Sequence, residues 1–386
     1  MTSQAAQGER RVATRARDLG IPFPGISGRH GALTDVPGVE VGYRTLIEGE
    51  GPHAVRTGVT AILPRGRRGV GVPCAAAVHS FNGNGELTGR SWIDESGSLS
   101  MPIGITSSHS VGAVHSGIDA WVARTAPDVA AQWMLPVVGE TWDGYLNDIN
   151  GRHVTPADAE AALDAASSGP LAEGSVGGGV GMNCYGFKGG TGTASRIVAH
   201  GEDRFTVGVL IQANFGSRTE LRLGGVPIGA RSSTPNPMED DDWFQRERER
   251  GRAPGGAGSA IVVIATDAPL LPGQCAALAR RGAIGLGRSG TAGGHFSGDI
   301  MLAFSTANEG ALTSSFPESD RAEYETMRLV PWGRIDPFLT AVAEAVDEAV
   351  WNALVAARDM EGRDGHVSHA LPHEQIRAAV AQMNGR

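Results

Sequence analysis

The strongest chemical signal in the sequence is a serine that separates a glycine-rich segment from an apolar run. Residues 255–258 read Gly-Gly-Ala-Gly, Ser259 follows, and residues 260–265 read Ala-Ile-Val-Val-Ile-Ala. Such a run, bounded by glycine and by Asp267, predicts a strand that is buried on both faces. If the Gly258–Ser259 peptide bond were cut, Ser259 would carry a hydroxyl and a free α-amine, a known way to activate a nucleophile. The alternative is an ordinary linker that enters an ordinary strand.

The segment before this serine has the composition of a linker. Asp occupies positions 240–242, Arg and Glu alternate over residues 246–250, and Pro and Gly surround both groups. A segment of this kind has little apolar surface to bury. We therefore expect residues 231–258 to form a solvent-exposed linker that is readily cut and that ends at Ser259.

A second candidate site lies in residues 136–145, which read Pro-Val-Val-Gly-Glu-Thr-Trp-Asp-Gly-Tyr. Glu140 lies at the end of a short apolar run, and the aromatic residues Trp142 and Tyr145 follow Glu140. A carboxylate beside aromatic rings suits a pocket for a cationic group. The alternative, and the commoner case, is a solvated glutamate at the end of a strand.

Familiar catalytic and cofactor motifs are missing or out of context. The sequence has no G-x-S-x-G, H-E-x-x-H or C-x-x-C pattern. Residues 285–290 match G-x-G-x-x-G, but they follow a helix predicted over residues 272–281 rather than a strand, so the dinucleotide interpretation fails on context. His109 and His115 are six positions apart, which argues against a shared metal site on one helix face. We therefore predict no metal and no cofactor.

Charge and composition exclude several classes of protein. The chain of 386 residues has a net charge of −9 and no basic block, so we expect no nucleic-acid partner. No apolar run reaches the ~18 residues of a membrane span, and the arginines near the N-terminus precede no signal-peptide core. Three widely spaced cysteines fit a reducing compartment. We expect a cytoplasmic protein that does not bind membranes and that begins with a loosely held arm over residues 1–20.

Apolar periodicity predicts the elements that must position these candidates. Short apolar segments at 58–63, 71–78, 102–106 and 300–306 predict strands. Apolar residues spaced every four positions predict a helix from Phe338 to about Ala357, and an apolar stripe predicts another over residues 112–124.

A set of short motifs extends over residues 30–355 and connects the candidates. They are Thr-Asp-Val-Pro-Gly-Val at 34–39, Asn-Gly-Asn-Gly-Glu at 82–86, Gly-Glu-Thr-Trp-Asp-Gly at 139–144, Gln-Ala-Asn at 212–214, Gly-Ser at 258–259, Ala-Thr-Asp-Ala-Pro-Leu at 265–270 and Ser-Gly-Asp-Ile at 297–300. In these motifs and their order the chain resembles the DmpA-type aminopeptidases. This self-processing family includes L-aminopeptidase/D-amidase and β-peptidyl aminopeptidases.

The resemblance implies a fold and an activity. The family fold is a four-layer αββα sandwich of the α+β class, shared with ornithine acetyltransferases; it resembles N-terminal nucleophile hydrolases but has a different connectivity. We expect one domain over residues 1–386, cut by the protein itself into residues 1–258 and 259–386. The expected enzyme is a serine aminopeptidase that acts on small peptides, amides or esters without a cofactor. It is expected to form a homo-oligomer, a tetramer of αβ units.

The resemblance also implies a role for each matching residue. Ser259 corresponds to the nucleophile released by autocatalytic cleavage after Gly258. The other implied roles are oxyanion donor for Asn214, support of the nucleophile for Ser297 and Asp299, binding of the substrate's free amine for Glu140, and pocket wall for Trp142. Some members of the family have Glu where this chain has Asp299.

Two rival functions belong to other classes. An acyltransferase of the ornithine acetyltransferase kind would share the architecture but normally uses a threonine nucleophile, so Ser259 argues against it. A binding protein on the same fold would leave the chain unprocessed, and an intact chain would favour it.

Overall fold

Strands of two larger sheets form the centre of the protein. The structure, a computed structural model, describes residues 14–237, 257–316 and 320–385. The strands, numbered along the chain, are β1 Glu40–Glu48, β2 Val55–Leu63, β3 Cys74–Ser80, β4 Ser98–Leu99, β5 Ile103–Ser107, β6 Val137–Thr141, β7 Asn183–Cys184, β8 Phe187–Lys188, β9 Gly190–His200, β10 Asp203–Asn214, β11 Ala257–Thr266, β12 Phe296–Ser305, β13 Met360–Glu361 and β14 Val367–Ser368.

The two larger sheets are both mixed. The smaller has the order β1-β2-β5-β6, and the larger has the order β4-β3-β12-β11-β10-β9. β5 and β6 are parallel, as are β11 and β12, and the other neighbours in these sheets are antiparallel. The short strands form the separate pairs β7–β8 and β13–β14.

Helices cover the outer face of each larger sheet. α2 and α4 contact the strands of the smaller sheet, whereas α6 and α7 contact the strands of the larger one. The helices are α1 Arg90–Ser96, α2 Val111–Thr125, α3 Pro127–Ala130, α4 Pro156–Asp164, α5 Ile228–Arg231, α6 Pro272–Arg288, α7 Asp336–Ala356 and α8 His373–Asn384.

Apolar side chains fill the space between the sheets and the space beneath each helical layer. Between the sheets, Ile103 and Ile105 of β5 belong to the same buried cluster as Ile261 and Val263 of β11. Separate clusters join α6 and α7 to the larger sheet and α2 and α4 to the smaller one. The layers therefore follow the order helix, sheet, sheet, helix, and the predicted four-layer αββα sandwich is confirmed.

The apolar run after Ser259 forms the central strand β11, as predicted. Its residues 260–265 are each at most 1% exposed. Ile261 and Val263 face the other sheet, whereas Val262 and Ile264 face the helices. Because both faces are covered, the run shows no alternation of apolar and polar residues. The helix predicted from Phe338 is also confirmed as α7, and its apolar positions Val342, Val346, Val350 and Leu354 are buried.

The predicted loose arm over residues 1–20 is wrong for residues 14–20. Ala16 and Leu19 are buried there. The guanidinium of Arg17 donates two hydrogen bonds of 2.7 Å to the carboxylate of Glu348 on α7. Arg196 of β9 contacts the same carboxylate at 2.8 Å. Charge pairing with a residue far along the chain, which local composition does not reveal, holds this segment against α7.

The predicted linker over residues 231–258 is only partly within the described residues, because residues 238–256 lie outside them. At its start, the carbonyl oxygens of Thr234 and Pro235 accept hydrogen bonds from Arg218. At its end, Gly258 belongs to β11. None of the described helices is both long enough and apolar enough to cross a membrane.

Candidate active site

The ends of three strands bring the predicted catalytic residues together at one end of the larger sheet. β11 pairs with β10 so that Ser259 lies opposite Asn214. On its other side β11 pairs with β12, and Ser259 lies opposite Gly298, between Ser297 and Asp299. Ser259, Asn214 and Ser297 are each 4% exposed, and Asp299 is 1% exposed. The fold thus collects side chains that the sequence separates widely.

These side chains occupy both faces of the larger sheet. Residues of β11 and β12 alternate between the core that separates the sheets and the core beneath the helices. By this alternation Ser259 and Asn214 face the cleft between the sheets. Ser297 and Asp299 share the opposite face with Met301. The Ser297–Asp299 pair therefore approaches the backbone of Ser259 from the face of the sheet opposite its side chain.

Two hydrogen bonds orient the amide of Asn214. Its Oδ1 accepts a 2.8 Å bond from the backbone N–H of Asn183. Its Nδ2 donates a 3.0 Å bond to the carbonyl oxygen of Trp142. Since the oxygen is held on the side of Asn183, the NH₂ group faces the cleft and has a second hydrogen to donate. Such a donor beside Ser259 is suited to stabilise an oxyanion.

Ser297 and Asp299 form a buried hydrogen-bonded pair. The Ser297 hydroxyl donates a 2.6 Å bond to Asp299 Oδ1. Burial raises the pKa of Asp299, while hydrogen bonds from Ser297, from Asn82 and from the backbone of Ala260 oppose this shift. Because Ala260 directly follows Ser259, the carboxylate reaches the backbone of the nucleophile strand. This position suits a group that supports the nucleophile through its main chain.

Glu140 is a buried carboxylate next to this centre, at the end of β6. It is 6% exposed, so the interpretation as a solvated strand end is wrong. Its Oε1 accepts a 3.0 Å bond from the backbone N–H of Glu86, and its Oε2 accepts a bond from the Ser108 hydroxyl. A Cβ built on Gly85 would lie 3.4 Å from Oε1 and 3.1 Å from the Cα of Gly298. Gly85 therefore lies between Glu140 and the residue that pairs with Ser259.

Two glycines allow the backbone to approach closely at the nucleophile. A Cβ on Gly258 would lie 2.0 Å from the carbonyl oxygen of Asn214, and one on Gly298 would lie 2.3 Å from that of Asn84. Real Cβ atoms essentially never approach other atoms below 3.0 Å. The sequence places glycine at both positions because no side chain fits there.

Asp143 is a further buried carboxylate beside Trp142. Its Oδ1 accepts hydrogen bonds from the Ser107 hydroxyl at 2.9 Å and from Asn147 Nδ2 at 3.2 Å. Burial raises the pKa of Asp143 to about 6, although these hydrogen bonds act in the opposite direction. The residue ties the end of β5 to the turn that carries Trp142.

The sequence interpretation assigned no role to two residues that the structure adds to the site. Asn82 accepts a 2.9 Å bond from the backbone N–H of Asp299, and Ser108 contacts Glu140. A signal existed for each. Asn82 begins a glycine-rich motif, and Ser108 directly follows the strand β5. Parallel strands such as β5 and β6 end at the same edge of a sheet, so their following polar residues come together.

The histidines that could have formed a metal site have other partners. His109 Nδ1 lies 2.9 Å from Asn150 Oδ1, and His115 Nδ1 lies 3.2 Å from Asp119 Oδ2. Within the described ranges, His, Cys, Asp and Glu side chains form no group of three or more that could hold a metal ion.

Comparison with known proteins connects this site to an enzyme family. Residues 31–368 match the model of peptidase family S58. The chain is 47% identical over 372 residues to the β-peptidyl aminopeptidase BapA of Sphingosinicella microcystinivorans, covering 95% of this chain and 91% of that protein.

Solved structures agree with this match. A β-aminopeptidase of Burkholderia sp. is 45% identical, with a TM-score of 0.86 over 97% of this chain and 100% of its own. The L-aminopeptidase D-Ala-esterase/amidase of Ochrobactrum anthropi, a prototype for the serine aminopeptidases with a variant of the Ntn hydrolase fold, is 45% identical. Its TM-score is 0.85 over 96% of this chain and 99% of its own. The expected serine aminopeptidase activity is confirmed, and the chain belongs to peptidase family S58.

Proposed function

We propose that cleavage after Gly258 frees Ser259, which then serves this serine aminopeptidase as nucleophile on small peptides, amino-acid amides and esters. The observation that carries the proposal is the position of Ser259. It lies in a rigid central strand, with the Asn214 amide opposite it on β10 and the Ser297–Asp299 pair behind it on β12.

Self-cleavage follows from chemistry that this arrangement supports. The Ser259 hydroxyl attacks the carbonyl carbon of Gly258, the peptide C–N bond breaks, and the nitrogen becomes the α-amine of Ser259. The acyl group now rests on the hydroxyl oxygen as an ester. Water hydrolyses this ester, which leaves a carboxylate on Gly258 and restores the hydroxyl.

Turnover repeats these steps on a substrate. The freed α-amine, whose reference pKa is about 7.7–8.0, accepts the proton of the Ser259 hydroxyl as the oxygen attacks the substrate carbonyl. The proton passes to the leaving amine, and water then hydrolyses the acyl ester. Asn214 donates to the developing oxyanion, a contribution that is typically worth about 10²–10³ in rate. The Asp299 carboxylate, directed at the backbone near Ser259, helps to hold the amine in place.

Glu140 makes the enzyme an exopeptidase by binding the free amine of the substrate. An ammonium on this buried carboxylate forms a charge-assisted hydrogen bond, roughly twice as strong as a neutral one. An N-acetylated substrate cannot supply the charge and leaves the carboxylate without its partner, which costs about 1–3 kcal/mol or more. Trp142, which follows Glu140 by two positions, forms a wall of the same pocket.

Intact mass tests the cleavage. Purified wild-type protein should consist of fragments 1–258 and 259–386, whereas Ser259→Ala should remain one chain. Ser289→Ala is a matched control, because this buried serine lies at the end of α6. Cleavage that persists in Ser259→Ala would refute the assignment of the nucleophile and would favour an unrelated site of processing.

Substrate pairs test the amine site. Wild-type enzyme should hydrolyse an amino-acid p-nitroanilide much faster than its N-acetyl form, and Glu140→Gln should remove most of this preference. Equal rates for the free and the blocked substrate in the wild type would contradict an exopeptidase. Transfer of the acyl group to an added amine in preference to water would instead favour the acyltransferase class.

We also propose that the protein works as a homo-oligomer of αβ units in the cytoplasm. The described cysteines, Cys74, Cys184 and Cys275, are all buried free thiols, which supports a reducing compartment. Light scattering coupled to size-exclusion chromatography measures the assembly, and a mass of one αβ unit would contradict it.

A further inference from the structure

Lys188 is a buried lysine that has no charged partner among the described residues. Its residue is 0% exposed. Its Nζ donates hydrogen bonds of 2.9 Å to the carbonyl oxygens of Met182 and Gly189, and that of Gly179 lies 3.5 Å away. Within the described residues no carboxylate pairs with it, and burial lowers its pKa to about 7. Burying an ammonium group that contacts only neutral carbonyl groups costs free energy. Packing alone therefore does not explain why a lysine occupies this position.

One peptide group connects Lys188 to the oxyanion donor. The carbonyl oxygen of Met182 accepts the bond from Lys188 Nζ. The N–H of the same peptide group, which belongs to Asn183, donates the 2.8 Å bond to Asn214 Oδ1. The Lys188 backbone is also opposite Asn183, because the two residues are paired in β7 and β8. Lys188 thus fixes the position of the Met182–Asn183 peptide group, which orients Asn214, and its charge polarises that group.

We propose that Lys188 is a positioning residue for the reaction, acting through the Met182–Asn183 peptide group on the amide of Asn214. A positive charge at the carbonyl end of a hydrogen-bonded chain polarises each successive bond. The Asn183 N–H becomes a stronger donor, and the Asn214 NH₂ group in turn becomes a stronger donor to the oxyanion. The chain of bonds also keeps Asn214 Oδ1 away from the developing negative charge.

The inference rests on the proposed role of Asn214 and makes a specific prediction about turnover. Lys188 does not contact the substrate, so its removal should lower kcat and leave KM nearly unchanged. We expect Lys188→Met, which preserves most of the length without a charge or a donor, to lower kcat about tenfold, a fraction of the 10²–10³ for a whole oxyanion donor.

A double-mutant cycle between Lys188 and Asn214 tests the relay. The variants are Lys188→Met, Asn214→Ala and the double variant, assayed as processed enzyme with an amino-acid p-nitroanilide and with concentrations taken from the released Ser259 N-terminus. If Lys188 acts through Asn214, adding Lys188→Met to Asn214→Ala should change kcat less than about twofold. If Lys188→Met lowers kcat about tenfold both in the wild type and in Asn214→Ala, the proposal is overturned, because the effect of the substitution is then a general structural one.

Controls separate this inference from the function on which it rests. Ser368→Ala removes the 2.6 Å bond to the side chain of Asn183 but leaves the peptide relay intact, so it should keep the wild-type kcat. If Asn214→Ala alone keeps the wild-type kcat, the oxyanion assignment is wrong rather than the relay. If Lys188→Met does not fold, Lys188→Gln, which also lacks the charge, replaces it in the double-mutant cycle. An equal loss of kcat from Lys188→Gln in the wild type and in Asn214→Ala would also overturn the proposal.

Discussion

Replacing Gly258 by alanine should slow self-cleavage without harming the mature enzyme. In the uncleaved chain a Cβ at this position would lie 2.0 Å from the carbonyl oxygen of Asn214 and 2.8 Å from the Cα of Phe215. Ordinary contacts begin at 3.4 Å. The ends of β10 and β11 must therefore separate by roughly 1 Å, because backbone atoms cannot rotate away as a flexible side chain does.

This displacement acts on the reacting atoms themselves. It moves the Gly258 carbonyl relative to the Ser259 hydroxyl and to Asn214, which β10 carries. A misplacement of about 1 Å costs on the order of 10²-fold in rate for reactions that depend on such geometry. We therefore expect cleavage of Gly258→Ala to be about 10²-fold slower than that of the wild type.

The clash exists only while residues 258 and 259 are joined. After cleavage, residue 258 is a free chain end that can move aside, so kcat and KM of matured Gly258→Ala should equal those of the wild type. Intact mass followed over time measures cleavage, and a p-nitroanilide assay measures the matured fraction.

Gly273→Ala is the matched control for this experiment. Its added Cβ, in the first turn of α6, would meet nothing within 4 Å, so cleavage should proceed at the wild-type rate. Cleavage of Gly258→Ala at the wild-type rate would refute the steric argument. Slow cleavage together with a low kcat of the matured protein would refute the view that the contact matters only before cleavage.

Three further predictions follow from buried charges. Asp299→Asn should lower kcat by at least about 10² in a correctly processed protein; near-normal kinetics would remove Asp299 from the site. Because the pKa of folded Asp143 is about 6, against an ordinary 3.8, the folded state binds the extra proton, and wild-type stability should fall by about 2 kcal/mol relative to Asp143→Asn as pH rises from 4 to 6, in urea titrations. A pH-independent difference would contradict this. Glu348→Gln removes a buried carboxylate that pairs with Arg17 and with the buried guanidinium of Arg196 and should lower the free energy of unfolding by about 3–5 kcal/mol, whereas Asp94→Asn in an exposed pair should cost less than about 0.5 kcal/mol. Similar costs for both would refute the importance of burial.

Local sequence was sufficient to predict β11 and α7 and to single out Ser259 as the candidate nucleophile. The apolar run after Ser259 predicts a strand buried on both faces because every position must avoid water, and the four-residue spacing along α7 predicts a helix with one buried face. The Gly258–Ser259 junction marks a chemical possibility at a single point in the chain. Each of these properties is encoded in neighbouring residues.

Tertiary structure decided how these parts meet. No local pattern specifies that Ser259 lies opposite Asn214 or that Asp299 approaches from the face opposite the Ser259 hydroxyl. Strand pairing sets these contacts, and the choice among possible registers depends on how two sheets bury their apolar faces together.

The same distinction explains two residues, Arg17 and Lys188, whose surroundings the sequence did not predict. In the sequence Arg17 belongs to a polar arm, and Lys188, the only lysine of the chain, lies beside a glycine-rich turn. Each is stabilised by groups from elsewhere in the fold, the carboxylate of Glu348 in one case and backbone carbonyl groups in the other. The free energy of a charged group in the folded state is a property of the assembled protein, because it depends on the dipoles and charges that packing brings around the group.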